Sequence, residues 1–425
     1  MSNKADDKTM KPGAKRALVP KLRFPEFRDH PGWGDDYGDK LFDQINNRQA
    51  TPGLPILAIT QEHGAIPRDA IDYHVSVTDK SVETYKEVQP GDFIISLRSF
   101  QGGIEFSEYH GVCSPAYVIL RKKVELSEAF FKHLFKSYRF IQQLTKNLEG
   151  LRDGKMISFK QFSELLLPNP TLGEQQKIAD CLDSLDELVS LEAQKLDTLK
   201  AHKKGLMQQL FPRDGETLPQ LRFANEGDWT VVSLPEVVFF QEGPGIMAVD
   251  FRSEGVPLVR LAGVGGAAVT LDGCNYLDPE KVAQKWAHFR LEVNDLLIST
   301  SATFGLSSIV THAAAGAVFY TGLIRLRPNN ERLNFGYLKA FLGSPHFAQQ
   351  AESAAVGGGI KHFGPTHLKQ MEIPIPPLAE QQCIADCLAS LDALIAAQAQ
   401  KLDALKAHKK GLMQQLFPSV DEVQG

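Results

Sequence analysis

A segment of 39 residues occurs twice in this chain with little change. The stretches 174–212 and 380–418 lie 206 positions apart and are identical at 31 of 39 positions without a gap. A weaker similarity opens each half, at 20–24 with Trp33 and at 219–223 with Trp229. Between these ends the two halves share little. The repeat predicts one scaffold built twice, with two intervening regions that are free to differ.

Apolar residues in each copy follow an alternating four-three spacing, which predicts a coiled-coil helix. Prolines precede each copy and Phe-Pro ends it, as helix boundaries require, so the helices are predicted at 174–212 and 380–418. One such helix cannot bury its stripe alone, and we expect the two copies to pair antiparallel; the alternative is two ordinary core helices. The predicted seam is Ile178, Leu182, Leu185, Val189, Leu196, Leu199, Ile384, Leu388, Leu391, Ile395, Leu402 and Leu405.

Outward-facing residues of the two copies also match, although a seam needs only its apolar positions kept. Matching outer faces predict that each copy presents the same surface to the same partner, and hence two identical partner subunits related by a pseudo-two-fold axis. The predicted docking residues are Lys195, Lys200, His202, Lys204, Lys401, Lys406, His408 and Lys410.

The regions between the repeated ends have the size of single domains and a mixed pattern of short strands and helices, with strands predicted at 93–97 and 296–299 among others and a helix at 128–144. The predicted fold class is α+β, with two mixed α/β domains, each a twisted sheet with helices, separated by two long antiparallel coiled-coil helices in a pseudo-two-fold internal repeat. The predicted divisions are a tail and opening segment at 1–29, a first domain at 30–167, a central spacer helix at 168–212, a linker at 213–225, a second domain at 226–373, a C-terminal spacer helix at 374–418 and a tail at 419–425.

Polar and basic residues gather at the loops that leave the predicted strands. Arg and Lys can pair with phosphates or guanine edges, and Gln can pair with adenine. The alternative is that these are ordinary solvated loop residues. The candidate DNA-binding residues are Arg98, Ser99, Gln101, Arg152, Lys155, Thr300, Ser301, Thr303, Lys361 and His362.

Composition excludes several classes of protein. With 46 Lys+Arg against 51 Asp+Glu, the net charge is -5, so the chain is not a generally basic nucleic-acid coat. No apolar run exceeds five residues, which predicts no membrane span. The N-terminus lacks the apolar region of a secretion signal, and five scattered cysteines do not form a disulfide framework, so we expect reduced thiols and a cytoplasmic location.

No catalytic or metal site is predicted. The stretch 150–156 has the wrong spacing for a Walker loop, and two loose G-x-G-x-x-A matches, at 243–248 and 263–268, do not open convincing helices. The Asn-Pro-Thr at 169–171 lacks the aromatic residue of an amino-methyltransferase element. Cys383 and Cys387 are one helical turn apart, but no further ligand follows at metal spacing.

Each variable region is opened by P-x-L-R-F…W and closed by a Pro-rich turn into E-Q-Q-x-I-A-x-x-L and a long helix. In motif, order and repeat spacing the chain resembles the specificity subunit of type I restriction-modification systems over nearly its whole length.

The resemblance implies a non-catalytic subunit that binds double-stranded DNA. It implies two target-recognition domains, each reading one half of a bipartite, asymmetric site, and helices that dock two modification subunits. Those subunits would methylate adenine with S-adenosylmethionine, and restriction subunits would cleave DNA with ATP and Mg. None of these cofactors is expected in this chain. The alternatives are a coiled-coil adaptor that binds proteins only, and a related single-chain methyltransferase or nuclease module.

Overall fold

The structure is a computed structural model. It describes residues 18–48, 53–71, 84–146, 157–213, 215–223, 227–300, 307–354 and 364–418. The chain divides into two compact units: the first joins Met1–Glu192 to Lys401–Gly425, and the second is Ala193–Gln400. Each unit therefore holds one sheet-containing domain together with parts of both long helices.

The first domain is built around a four-stranded antiparallel sheet. Its strands are β1 (Gly34–Tyr37), β2 (Phe42–Ile45), β3 (Leu57–Thr60), β4 (Gly64–Pro67), β5 (Lys86–Val88), β6 (Phe93–Ile95), β7 (Glu105–Phe106), β8 (Gly111–Cys113), β9 (Val118–Lys122) and β10 (Leu166–Asn169). Its helices are α1 (Gly38–Leu41), α2 (Ser99–Gly102), α3 (Glu128–Leu134), α4 (Tyr138–Lys146) and α5 (Phe159–Ser163), and the long helix α6 (Leu172–Leu210) follows. The central sheet has the order β2-β9-β6-β7, and β1-β10, β3-β4 and β5-β8 form separate antiparallel pairs.

The second domain repeats this arrangement. Its strands are β11 (Thr230–Ser233), β12 (Val238–Glu242), β13 (Phe251–Arg252), β14 (Val256–Val259), β15 (Asn275–Leu277), β16 (Leu296–Ser299), β17 (Ser307–Ile309), β18 (Val318–Phe319), β19 (Leu323–Pro328) and β20 (Glu372–Ile375). Its helices are α7 (Leu234–Val237), α8 (Pro279–Lys281), α9 (Phe335–Leu342), α10 (Pro345–Ala354) and α11 (Pro365–Leu368), followed by the long helix α12 (Leu378–Leu416). The sheet β12-β19-β16-β17 corresponds strand for strand to the central sheet of the first domain, and a second sheet has the order β13-β15-β14-β18.

The same ion pair braces both central sheets. Arg121 makes two hydrogen bonds of 2.7 Å to Asp92, and Arg327 makes the equivalent bonds of 2.6 and 2.8 Å to Asp295. Both aspartates are almost completely buried. A paired guanidinium offsets the cost of burying each carboxylate, so the brace is a structural feature of both copies.

The long helices are each 39 residues long and lie two residues earlier than predicted at both ends. They end immediately before the Phe-Pro pairs because proline cannot continue a helix. In the first unit, Lys401 and Lys409 of α12 form ion pairs with Glu192 and Asp186 of α6. Partner numbers that run in opposite directions show antiparallel pairing.

In the second unit, Lys203 of α6 pairs with Asp392 of α12, and Leu210 shares a core with Ile384 and Leu388. The helices are therefore antiparallel in this unit as well, and the predicted fold class is confirmed. Every residue of the predicted seam is buried or half-buried: Ile178, Leu182, Leu185, Val189, Leu196, Leu199, Ile384, Leu388, Leu391, Ile395, Leu402 and Leu405.

One predicted helix is broken in the structure. The stretch 128–144, predicted as a single helix, forms α3 and α4, separated at 135–137. Ser137 is buried there, and its backbone carbonyl accepts a hydrogen bond from Ile141 while its hydroxyl accepts one from Phe140. A serine that satisfies the first N–H groups of a new helix begins that helix, which the apolar pattern alone did not reveal.

A motif that we call the clasp joins the opening segment of each half to its long helix. Arg23 donates two hydrogen bonds of 2.7 Å to Glu174, and Arg222 donates two of 3.2 and 2.8 Å to Glu380. Both glutamates are nearly inaccessible to solvent. The repeated Arg of the opening segment and the repeated Glu of E-Q-Q therefore form the same contact in both units.

The neighbouring glutamine extends the clasp to the domain that follows the opening segment. Gln175 accepts a hydrogen bond of 2.9 Å from the N–H of Ser127, the residue that caps α3, and Gln381 accepts one of 2.8 Å from Asn334, which caps α9. The repeated residues at the ends of each half thus hold each domain on its helix, which explains why they match while the intervening regions differ.

Candidate nucleic-acid interface

The loop after β6 holds three of the predicted DNA-binding residues of the first domain. Arg98 and Gln101 are exposed, whereas Ser99 is 1% exposed. The Ser99 hydroxyl accepts a hydrogen bond of 2.9 Å from the N–H of Ser96. Ser99 is thus enclosed within the loop, and its burial fits a loop-positioning role and not the predicted contact with DNA. Arg98 and Gln101 remain accessible to a ligand.

The side chains of Tyr117 and Gln61 lie in the same part of the first domain as the loop after β6. Burial raises the pKa of the Tyr117 hydroxyl, and the charges of Arg68 and Arg98 oppose that rise. Both guanidinium groups are therefore close enough to Tyr117 to act on its ionisation. Gln61, from the turn after β3, donates a hydrogen bond of 3.2 Å to the carbonyl of Arg98. The turn after β3 and the loop after β6 thus meet, and Arg98 is exposed on the second of them.

In the second domain, Thr300 follows β16 as predicted but is 4% exposed. Its N–H and its hydroxyl both donate to the carbonyl of Gly322, at 2.9 and 3.2 Å. Like Ser99, it is enclosed, and its burial fits a structural role and not the predicted DNA contact. Six other predicted residues lie outside the described residues: Arg152, Lys155, Ser301, Thr303, Lys361 and His362.

A cluster that the sequence analysis did not identify lies at the ends of two strands of the second domain. Arg260 directly follows β14, and Tyr320 directly follows β18. The Arg260 guanidinium lies 4.3 Å from the centroid of the Tyr320 ring and 5.6 Å from that of Phe251, and it donates a hydrogen bond of 2.6 Å to the side-chain oxygen of Asn275. We call these four residues the Arg260 cluster. The parallel pairing of β14 with β18 brings Arg260 and Tyr320 together, although they are far apart in sequence.

All eight predicted docking residues of the helices are exposed: Lys195, Lys200, His202, Lys204, Lys401, Lys406, His408 and Lys410. Lys401 is engaged with Glu192, and Lys200 lies 3.9 Å from Asp197. An apolar part of the helix surface was not predicted from the sequence. Leu188 and Leu394 occupy the same position in the two copies and are 37% and 55% exposed. Exposed apolar residues repeated on both helices are typical of a partner surface.

One group of side chains in the described part of the chain has the composition of a metal site: His133 of α3 with Asp183 and Asp186 of α6. These groups already have partners. A hydrogen bond of 2.8 Å joins His133 Nε2 to Asp183 Oδ1, and Lys409 pairs with Asp186. The group thus connects the first domain to both long helices by ordinary polar contacts. None of the five cysteines forms a disulfide.

Among the described residues, no helix combines the length and the apolar character needed to cross a membrane.

Comparison with known proteins gives consistent results. A sequence model of the family described as "Type I restriction modification DNA specificity domain" matches residues 40–201 and 226–407. The type I restriction enzyme MjaVIII specificity subunit of Methanocaldococcus jannaschii is 24% identical over 351 residues, which cover 81% of each chain. The putative MjaX specificity subunit of the same organism is 27% identical over 269 residues, covering 61% of this chain and 60% of that one.

Two solved structures share the fold. A chain from a structure on complex assembly and conformational transition of the type I restriction-modification system superposes with a TM-score of 0.56 at 21% identity, covering 91% of this chain and 98% of the other. The S subunit from M. genitalium gives a TM-score of 0.54 at 17% identity, covering 95% and 100%. Since the family model matches both halves, this chain belongs to the type I restriction-modification DNA specificity family.

Proposed function

We propose that this type I specificity subunit selects the DNA site at which its complex acts, with each domain reading one half of a bipartite, asymmetric sequence in double-stranded DNA. The two long helices dock two modification subunits, which methylate adenine with S-adenosylmethionine. Restriction subunits that join the complex cleave DNA with ATP and Mg. The role of this chain is to recognise DNA and to assemble the complex, and the chemistry belongs to its partners.

The main support for the proposal is that the two domains share their scaffold but differ in the side chains at the ends of their strands. Both domains have the same central sheet order, the same arginine-aspartate brace and the same clasp. The side chains at the strand ends differ, with exposed Arg98 and Gln101 in the first domain and the Arg260 cluster in the second. A common support with different surface chemistry is what two unlike half-sites require.

Local charge supports DNA binding although the chain as a whole is acidic. Arg98 is exposed in the loop after β6 of the first domain, and Arg260 lies at a strand end in the second. These basic groups sit on loops supported by a rigid sheet, which is where binding residues concentrate. The overall negative charge limits non-specific attraction to phosphates, which favours binding that depends on sequence.

Methylome sequencing of cells that express this chain with its modification subunit tests the proposal. We expect one adenine-methylated motif made of two different half-sites separated by unread base pairs, because the two domains carry different strand-end residues. Cells with the modification subunit alone serve as the control and should lack the motif. A continuous palindrome would contradict the reading of two different half-sites. DNA binding by neither the chain nor its complex would favour the protein-only adaptor instead.

Docking on the helices is tested by changing the same position in both copies. Lys204→Glu with Lys410→Glu, and separately Leu188→Asp with Leu394→Asp, should each weaken binding of the modification subunit about tenfold or more, because new charges oppose a complementary surface. The measurement is the Kd of the purified chain for the modification subunit. Lys401 is unsuitable for this test because it pairs with Glu192.

A matched control for docking uses exposed lysines that lie outside the long helices, one in each domain. Lys160→Glu with Lys369→Glu changes the net charge by the same amount as the helix variant. Equal effects of the control and the helix variant would show that net charge, and not a docking surface, controls assembly.

A further inference from the structure

The Arg260 cluster lies at a backbone position that both domains share, but the side chains at that position differ between the two domains. In the second domain, Leu258 pairs with Val318 in parallel, and two residues further along the strands stand Arg260 and Tyr320. In the first domain, the corresponding parallel bridge joins Ile56 and Val112. Two residues beyond that bridge stand Ala58 and Ser114. A long cationic side chain and an aromatic ring thus replace two small residues at one structural position.

The guanidinium of Arg260 is held in place before any ligand arrives. It lies against the Tyr320 ring at 4.3 Å, and Asn275 accepts one of its N–H groups at 2.6 Å. Tyr320 is itself closely supported, because a Cβ at Gly243 would lie only 2.2 Å from its carbonyl oxygen. Stacking on an aromatic face fixes the plane of a guanidinium while leaving its edge available.

Arg260 differs from the structural arginines of this chain in having no carboxylate partner among the described residues. Arg23, Arg121, Arg222 and Arg327 each bind a buried glutamate or aspartate. The hydrogen bond to Asn275 uses one N–H group of Arg260, and none of its side-chain nitrogens is a buried atom without a partner. Its charge and its remaining donors therefore stay available at the surface for an acceptor on a ligand.

We propose that Arg260 reads a guanine in the half-site of the second domain, and that Tyr320, Phe251 and Asn275 are positioning residues for it. This inference rests on the proposed function. A planar guanidinium whose orientation is fixed matches the O6 and N7 acceptors that guanine presents in the major groove. A phosphate would need the charge of Arg260 but not its fixed plane. The small residues Ala58 and Ser114 cannot make this contact, so the first domain should not read guanine from the equivalent position.

The test uses the full chain in complex with its modification subunit and duplexes that carry the motif identified by methylome sequencing. In one duplex at a time, each guanine of the second half-site is replaced by 7-deazaguanine, which lacks the N7 acceptor. For the unaltered protein, one replacement should weaken binding by about tenfold or more. For Arg260→Ala, the same replacement should have no further effect, and methylation should spread to sites with another base at that position. The half-site of the first domain should stay unchanged.

Two variants keep the inference falsifiable. Arg260→Lys retains the charge and most of the stem but not the planar fork, so it should lose the discrimination and keep most of the general affinity. Arg252→Ala is the matched control, because Arg252 is an exposed arginine of the same domain whose guanidinium, among the described residues, donates to the backbone carbonyls of Val249 and Phe251. It should leave the motif unchanged.

Three outcomes would overturn the inference. An unchanged motif in both Arg260 variants would show that Arg260 does not read a base. A loss of affinity that is equal for all sequences, with a flatter salt dependence, would assign Arg260 to a phosphate. An unaltered complex without a split motif would overturn the proposed function itself, and this inference with it.

Discussion

The two domains differ most where each one packs on its long helix. Six residues after the capping residues Ser127 and Asn334 stand His133 in the first domain and Ala340 in the second. His133 bonds Asp183 of α6, and the position of α12 that matches Asp183 in the repeat is Ala389. A polar pair in one unit is therefore replaced by two alanines in the other. We call the His133–Asp183 pair the latch.

In the second unit, a largely apolar groove of about 480 Å³ borders these two alanines. Ala340 and Ala389 both line it, as do Ala385 and Ala396. Where the latch fills the corresponding place in the first unit, small side chains leave the second unit open. These two positions, far apart in sequence, therefore depend on each other, because a buried histidine facing an alanine would have no hydrogen-bond partner.

The clasp, which both units share, should give the greatest loss of stability when it is removed from one unit. Glu174→Ala leaves the buried guanidinium of Arg23 without its carboxylate and should destabilise the first unit by about 3 kcal/mol. Glu380→Ala breaks a pair in which Arg222 is more exposed (17% against 8%), but it also leaves the buried Trp229 N–H, which donates to Glu380 at 3.1 Å, without its acceptor, so it should destabilise the second unit by a similar amount. Hydrogen exchange measured by mass spectrometry should show faster exchange in the unit that carries the change.

The control for the clasp is Glu187→Ala, which removes an exposed glutamate from the same helix as Glu174. It should leave exchange unchanged in both units. If Glu174→Ala and Glu187→Ala behaved alike, the clasp would contribute nothing to holding the first domain on its helix.

A smaller change in the unfolding free energy is expected at the latch. Asp183→Ala leaves the buried His133 unpaired and should cost about 1–3 kcal/mol of unfolding free energy. The double variant His133→Ala with Asp183→Ala copies the second unit and should cost less than the sum of the two single changes. A double-mutant cycle from denaturant unfolding measures this coupling. Additive single effects would show that the two residues do not act as a pair.

The latch also predicts a small dependence of stability on pH. The hydrogen bond from His133 holds the pKa of Asp183 below its usual range. Because the folded pKa is lowered, the contribution is present above the unfolded pKa of aspartate, about 3.9, and is lost as pH falls below it and through the lower folded value. Asp183 is 44% exposed, so the effect should be below about 1 kcal/mol. In His133→Ala the unfolding free energy should vary less over this range.

The scaffold could be predicted from the sequence because the patterns that specify it are local or repeated. The four-three spacing and the Phe-Pro ends predicted α6 and α12 to within two residues, and the strands predicted at 93–97 and 296–299 are β6 and β16. Each of these depends on neighbours along the chain. The break at Ser137 was missed because the apolar pattern continues across it.

The strand-end chemistry was harder to predict because it depends on pairing between distant segments. Ser99 and Thr300 were chosen as polar loop residues. The Ser99 hydroxyl accepts a hydrogen bond within its own loop, however, and the Thr300 hydroxyl donates to the carbonyl of Gly322, in the turn between β18 and β19. Sequence does not distinguish an enclosed hydroxyl from an exposed one. Arg260 was missed because its partners Tyr320 and Asn275 come from other strands. A lone arginine after an apolar run carries no signal until the strand register is known.

The placement of Asp183 and Ala389 has a consequence for exchanging domains between such proteins. A graft cut at the Pro-rich turn would separate His133 from its acceptor and set the histidine against alanine. A cut downstream, within the near-identical stretches 193–212 and 399–418, would carry residue 183 or 389 along with its own domain. A transplantable cassette therefore includes almost the first six turns of the long helix, and the near-identical stretches beyond them supply a junction that fits either half.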